Sequence, residues 1–390
     1  MISGAMKLTR SIPWAMVGGG QGSQIGYSHR SAALRDHTFD LVAGAFDLNP
    51  ERGRAFGISL GLDAARCYAD YRAMFSAEAQ RSDGIRAVSI ATPNNTHFEI
   101  CKAALDAGLH VVCEKPLCFS TAEALELKEI AAARHKIVGV TYGYAGYPLI
   151  EQARQMIARG DLGEIRIVQM QFAHGFHNEA VELASPAARW RVDPKFAGPS
   201  YVLGDIGTHP LYISEVLLPE LQIERLMCSR QSFVKTRAPL EDNAFTIMQY
   251  KGGAVGYLWS CAVNAGAMHS QKIRVIGAKA SLEWWDEQPN QLRFEVQGEP
   301  VRILERGMGY LHPAALAEDR ISGGHPEGLF EAWSNLYDRF ALAMDASDRG
   351  DAERLQAIRY PDIHAGIEGV RWVENCVRSA DAGGVWIDYS

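Results

Sequence analysis

The chain lacks most of the features that announce a function at first sight. Its seven cysteines are odd in number and scattered, with no CxxC pair and no metal-ligand spacing; Cys113 and Cys118 are the closest two. That argues against a disulfide framework and for a reducing compartment. No apolar stretch reaches the roughly 18 residues of a membrane span. No basic run of five or more occurs, and the net charge of −7 argues against a nucleic-acid partner. Internal repeats and low-complexity segments are absent. Residues 1–10 lack an apolar core followed by a small-residue cleavage site, so a short loose extension on a cytoplasmic protein is expected. What remains is ordinary: 47% hydrophobic and 22% charged residues, as in soluble globular proteins. At 390 residues the chain exceeds one usual core, so two domains are expected, 1–142 and 143–390.

The first third alternates short apolar runs with helical patterns. Strands are expected at 12–17, 39–46, 87–91, 109–113 and 136–140, and helices at 49–60, 95–107 and 120–134. Ser120 with Glu123 three residues on has the capping-box spacing. Such alternation means βαβ units in a doubly wound parallel sheet. After about Tyr142 the texture changes. A helical stretch at 149–159 gives way to extended segments at 165–172, 221–233, 244–250, 254–262, 271–276, 281–285 and 292–296. These suit an α+β domain with a mainly antiparallel sheet. Helices return at 329–346 and 364–379.

Gly18-Gly19-Gly20 directly follows the first strand. Glycines there let the backbone turn tightly and approach a pyrophosphate seated on the next helix. The third glycine of the usual fingerprint is displaced: Ser23 stands three residues after Gly20, and Gly26 is the next glycine able to face the sheet. Gly18, Gly20, Gln21 and Ser23 are therefore cofactor candidates. Asp47 ends the second strand, where a carboxylate accepts hydrogen bonds from adenosine ribose hydroxyls. It repels a 2′-phosphate, and no arginine directly follows it, so NAD is expected, with NADP the alternative. A plain turn or cap at Asp47-Leu48-Asn49-Pro50 is the competing reading. Thr92, Pro93 and Asn94 end the third strand and face the same crevice. His97 is a candidate there too, although a structural role fits it at least as well.

Lys115 lies in His110-Val111-Val112-Cys113-Glu114-Lys115-Pro116. The apolar run reads as a buried strand that Pro116 stops, having no N–H to donate. A lysine just past such a strand sits where open α/β sheets bind ligands. Desolvation there would suit it to acid or base work, whereas the bland alternative points it into water. Downstream runs Gly204-Asp205-Ile206-Gly207-Thr208-His209. If Asp205 begins a helix, Asp205 and His209 share one face. An aspartate beside a histidine orients the ring and raises its basicity, which suits a general base near neutral pH. An ordinary surface pair has the same spacing.

These strings, together with Trp190-Arg191, stand in the order and spacing of the glucose–fructose oxidoreductase / inositol dehydrogenase (Gfo/Idh/MocA) family. The chain resembles that family over essentially its whole length. The resemblance implies a Rossmann domain followed by an α/β domain whose open sheet often builds homodimers or homotetramers. It implies NAD(P) as cofactor and a sugar or cyclic polyol, inositol-like, as the small-molecule substrate. It further implies that Lys115 contacts cofactor and substrate, that Glu114 lies at the cofactor, that His209 moves the hydroxyl proton and that Asp205 orients or shares it.

Two positions depart from the pattern. Many relatives carry an aspartate three residues after the histidine, where this chain has Tyr212. After the fifth strand many have arginines, where this chain has Tyr142-Gly143-Tyr144-Ala145-Gly146-Tyr147. Tyr144, His174, His177, Trp190, Arg191 and His325 are candidates to line the substrate site instead, since aromatic faces suit sugar rings and histidines suit hydroxyls. Each has a structural alternative. His174 and His177 alone place no third metal ligand, and no metal is expected. An NAD-dependent dehydrogenase is the leading reading. A glycoside hydrolase acting by transient oxidation and elimination uses the same residues, and a non-enzymatic cofactor-binding regulator would not need Lys115, Asp205 and His209.

Overall fold

A computed structural model describes residue 8 and residues 10–390. Apart from residues 8 and 10, the extension expected over 1–10 lies outside the described residues. The described chain falls into two compact units. One runs up to Thr141 and includes Trp333–Glu368; the other comprises Tyr142–Ala332 and Gly369–Ser390.

In the first unit, β1 (Ile12–Gly18), β2 (Phe39–Ala45), β3 (Ala87–Ala91), β4 (His110–Cys113) and β5 (Val138–Val140) form a parallel sheet in the order β2-β1-β3-β4-β5. Every residue of β3 and β4 is buried, as expected of strands covered on both faces. Helices α1 (Gln24–Leu34), α2 (Pro50–Ser59), α3 (Tyr71–Glu78), α4 (His97–Asp106) and α5 (Thr121–Arg134) cross between or flank the strands. The capping box is present: Ser120 Oγ accepts from the Glu123 N–H, and the Glu123 carboxylate accepts from Ser120 N–H. Strand order reverses between β1 and β3, where an open sheet leaves its ligand crevice. Gly18 pairs with Ala91 and Ile90 with Cys113, so the carboxyl ends of β1, β3 and β4 lie level.

Residues 333–368 complete this unit's core, whereas the expected division put them in the second domain. Tyr337 is fully buried with its ring 6.2 Å from Trp14, and its hydroxyl lies 2.8 Å from Ser89 Oγ. A Cβ on Gly139 of β5 would come within 2.5 Å of Phe340, so a strand glycine makes room for that ring. A helical pattern states that one face is buried, not which sheet it covers.

The second unit is built on a nine-stranded sheet: β6 (Ile165–Ala173), β7 (Ile223–Gln231), β8 (Asn243–Tyr250), β9 (Val255–Cys261), β10 (Gln271–Gly277), β11 (Ala280–Trp285), β12 (Gln291–Val296), β13 (Arg302–Glu305) and β14 (Ile387–Asp388). Its order is β13-β12-β11-β10-β6-β9-β8-β7-β14, and only β6 and β9 pair in parallel. Alternation is clean on β8: Ala244, Thr246 and Met248 are buried while Phe245 and Ile247 face out. The inward residues share a core with α6 (Pro148–Ala158) and with Leu211 and Leu217 of the helix Thr208–Leu217. Among the described residues, no helix is long and apolar enough to cross a membrane.

Candidate active site

The first unit carries a backbone cradle. Gly18 and Gly19 adopt φ of +75° and +66°, which side-chain-bearing residues rarely take. A Cβ on Gly20 would lie 2.6 Å from the Phe46 carbonyl oxygen, and one on Gly26 would lie 2.4 Å from Gly19 Cα. Gly26 is therefore the displaced third glycine, letting the first turn of α1 pack on the loop. Ser23 caps that helix, its Oγ accepting from the Gly26 N–H at 3.0 Å, and Gln21 is exposed in the turn before it. Arg30, one turn further along α1, donates to the Gly19 carbonyl at 2.7 Å and fixes the loop from below. Such a loop at a helix N-terminus fits a pyrophosphate.

Asp47 follows β2 and is gripped by Arg52, whose Nε and terminal nitrogen each approach a carboxylate oxygen at 2.6 Å. That hydrogen bond is the main cause of a carboxyl pKa below the usual range. The arginine sits five positions on rather than next to Asp47, in the first turn of α2, where reading the adjacent residue alone misses it.

At the ends of β3 and β4, Thr92 accepts a hydrogen bond from Thr96 at 2.7 Å and Asn94 is buried in a single 3₁₀ turn. His97 is fully buried with its two ring nitrogens facing the carbonyls of Pro116 at 2.7 Å and Thr92 at 3.0 Å. It braces the two strand-end loops, and its side chain has no surface left for a cofactor. Glu114 is likewise turned inward rather than toward the crevice. Its Oε1 lies 3.1 Å from His29 Nε2 and accepts from Thr141 Oγ1 at 2.5 Å. Burial pushes this carboxyl up, but the His29 hydrogen bond and charge outweigh burial and hold it below its ordinary value. His29 Nδ1 in turn meets the Tyr337 hydroxyl. Lys115, between these braces, is half-buried.

The second unit gathers the chemical side chains. Asp205 does not begin an α-helix, as the sequence reading supposed: Leu203–Gly207 is one π-helical turn, and the α-helix starts at Thr208. The wider turn removes the α-helical argument for one shared face. Gly207 is needed in it, because a Cβ there would meet Ser260 Oγ at 2.6 Å. The Asp205 carboxylate lies 3.6 Å from Arg191, whose guanidinium stacks 4.6 Å from the Trp190 ring centre. His209 is buried in an aromatic setting. Tyr144 meets it edge-on at 4.9 Å, Tyr142 at 5.9 Å and Phe172 at 6.1 Å. Tyr212 stacks on Tyr142 at 4.8 Å. His174 and His177 close one side, 5.5 Å apart, and His177 bonds the buried Tyr201 hydroxyl. Burial lowers His174 to about 4, with His177 the next contributor; burial also lowers His177.

Two family models cover this architecture. The NAD-binding Rossmann fold of the GFO_IDH_MocA oxidoreductases matches residues 12–142, and that family's C-terminal alpha/beta domain matches residues 154–388. The chain belongs to this family. It is an oxidoreductase with an NAD-binding Rossmann domain. The crystal structure of an inositol dehydrogenase homologue from Azotobacter vinelandii in complex with NAD+ is 71% identical, covers 100% of both chains and superposes with a TM-score of 0.98. A second from that organism, complexed with NADH and myo-inositol, is 70% identical over 98% of both chains, with a TM-score of 0.95. An uncharacterised oxidoreductase of Bacillus subtilis (strain 168), YfiI, is 55% identical over 100% of both sequences.

Within this Gfo/Idh/MocA enzyme the expected residues sort by unit. Gly18, Gly20, Gln21, Ser23, Asp47, Thr92, Pro93, Asn94 and Lys115 belong to the first; Tyr144, His177, Trp190, Arg191, Asp205 and His209 to the second. His325 is set apart: it is exposed on a loop whose backbone is held by Arg306, and its ring nitrogen faces Ser322 Oγ at 3.5 Å. Two residues of the cluster escaped the sequence reading. His269 lies 4.4 Å from Phe172 and 3.2 Å from the Tyr144 hydroxyl, and it pairs with Asp286. Neither sits in a recognisable motif. Among the described residues, no three His, Cys, Asp or Glu side chains are grouped to hold a metal ion.

Proposed function

We propose that this chain is an NAD-dependent dehydrogenase of a secondary alcohol on a cyclic polyol or sugar, inositol-like, with Lys115, Asp205 and His209 as its catalytic residues. The observation that carries the reading is His209 buried against Tyr142, Tyr144 and Phe172, with His174 packed on the same Phe172 and His177 next to His174. Aromatic faces cover the C–H faces of a ring, and several imidazoles meet its hydroxyls. The myo-inositol bound by the 70%-identical Azotobacter protein supports the same substrate class.

Bound NAD supplies the hydride acceptor. His209 takes the hydroxyl proton as the carbinol C–H bond breaks, since the carbonyl forms only if that proton leaves. Asp205, itself held by Arg191, orients and shares that proton. Lys115 supplies positive charge to the developing alkoxide. Gly18, Gly19, Gly20 and Gly26 give the backbone approach a pyrophosphate needs, and Asp47 meets the ribose hydroxyls, which favours NAD over NADP.

We further place the enzyme in the cytoplasm and assign it a homo-oligomeric state. Seven free, buried cysteines support the first, and Phe245, Ile247, Val255 and Tyr257, exposed on β8 and β9, support the second. Purified protein with NAD and a panel of inositols and aldoses tests the function. NADH formation with at least one cyclic polyol is expected; silence across the panel overturns the proposal.

A further inference from the structure

Tyr144 is reached from behind by a carboxylate–imidazole pair that the reaction above leaves unused. His269 Nδ1 bonds Asp286, whose other oxygen accepts from the Gln271 N–H at 3.1 Å. Asp286 is almost wholly buried, so its carboxylate is fixed in place. A carboxylate accepts only, so Nδ1 must carry the hydrogen, and in the neutral ring Nε2 is left as an acceptor. Nε2 lies 3.2 Å from the Tyr144 hydroxyl. The phenol then donates to His269, and its oxygen keeps the capacity to accept. Tyr144 also stands edge-on to His209, so this ring belongs to the cluster that holds the proposed base.

The loop presenting His269 is held under strain. Ser270 has φ of +55°, a left-handed value uncommon for a residue with a side chain. Several bonds enforce it. Glu287 accepts from the N–H groups of His269 at 3.1 Å and Ser270 at 2.7 Å, and the Gln171 amide donates to Ser270 O at 3.0 Å and Oγ at 2.9 Å. Strain maintained by this many partners marks a segment whose geometry is used.

We propose that the Asp286–His269 pair sets Tyr144 as a hydrogen-bond acceptor for a substrate hydroxyl other than the one oxidised. Tyr144 is the binding group; His269 and Asp286 are positioning residues. This rests on the polyol dehydrogenase reading and adds a specificity element to it. An acceptor at that point selects a ring hydroxyl by its position and rejects an ether, a ketone or a deoxy carbon there. A neutral phenol at that point, rather than a charged group, fits a neutral polyol.

The test uses the full-length protein and whichever polyol the wild type oxidises. Tyr144→Phe, His269→Gln and Asp286→Asn each lower kcat/KM about tenfold through KM, the size expected of one lost hydrogen bond to substrate. The double variant Tyr144→Phe with His269→Gln is no worse than either single. Equilibrium binding of the polyol to the NADH-loaded protein weakens by the same factor, while NADH affinity is unchanged. With one monodeoxy analogue, wild type and Tyr144→Phe become equal. Tyr144→Phe removes a single oxygen and carries the test if His269→Gln does not fold. An unchanged KM in Tyr144→Phe, additive effects in the double variant, or a loss confined to kcat overturns the inference while the dehydrogenase reading stands. A wild type that oxidises no polyol overturns both.

Discussion

The two units build their parts of the chemistry from different materials. The first uses backbone: two left-handed glycines, strand ends in register, and a helix start that only Gly26 allows. The second uses side chains brought together from positions 142 to 286: Tyr142, Tyr144, Phe172, His174, Asp205, His209, His269 and Asp286. A cofactor's pyrophosphate is met by N–H groups, which any sequence with glycines in the right place provides. Hydroxyls on a ring are told apart only by particular side chains. On the proposed reading, constancy lies with the first unit and selectivity with the second.

That division can be broken by substitution. The largest effect is expected from His209→Asn and Lys115→Ala, each lowering kcat/KM by about 10³ or more. NADH fluorescence titration separates them, because His209→Asn leaves cofactor affinity intact. If it weakens NADH binding as much as turnover, the side-chain cluster is not purely chemical. Gly26→Ala should do the opposite. Its Cβ would meet the Gly19 backbone at 2.2 to 2.6 Å, so overpacking of about 1–3 kcal/mol is expected, with NADH binding lost first. Thermal unfolding with and without NADH reads both.

A third expectation concerns acid. His174 titrates at about 4 when folded and near 6.5 when unfolded, so the unfolded chain binds the proton first as pH falls. Its contribution is present above pH 6.5 and drains away toward pH 4, by about 3 kcal/mol. His174→Gln should flatten urea-unfolding stability against pH across that window; an unchanged slope would refute the assignment. The smallest effect belongs to Arg52→Ala. The Arg52–Asp47 pair is exposed on the arginine side, where water screens such bridges, so NAD affinity should change by fivefold or less.

Legibility followed the same division. The seven extended segments expected after Tyr142 all appear as strands, within a residue or two at most ends, because alternation on a half-buried sheet is a local signal. β13 and β14 were not foreseen; one is four polar-flanked residues and the other two. The glycine cradle was readable, including Gly26. A structural role for His97 was readable, though not its partners; the inward turn of Glu114 was not, since His29, which claims it, is a matter of tertiary packing. The π-helical turn at Asp205 leaves no composition signal. His269 and Asp286 reach Tyr144 across more than a hundred residues, a distance no motif spans.

The Tyr337 hydroxyl, shared by Ser89 and His29, has a consequence for how the protein is made. Strands β1 to β5 leave the ribosome early, yet the ring that fills the space beneath them is encoded almost two hundred residues after β5. Until translation passes that point, the nascent nucleotide-binding unit stands with an open underside and with His29 Nδ1 lacking its phenol partner. A truncation before Trp333 should therefore leave the Rossmann unit sticky and poorly soluble, while the intervening segment loses only its last helix and β14.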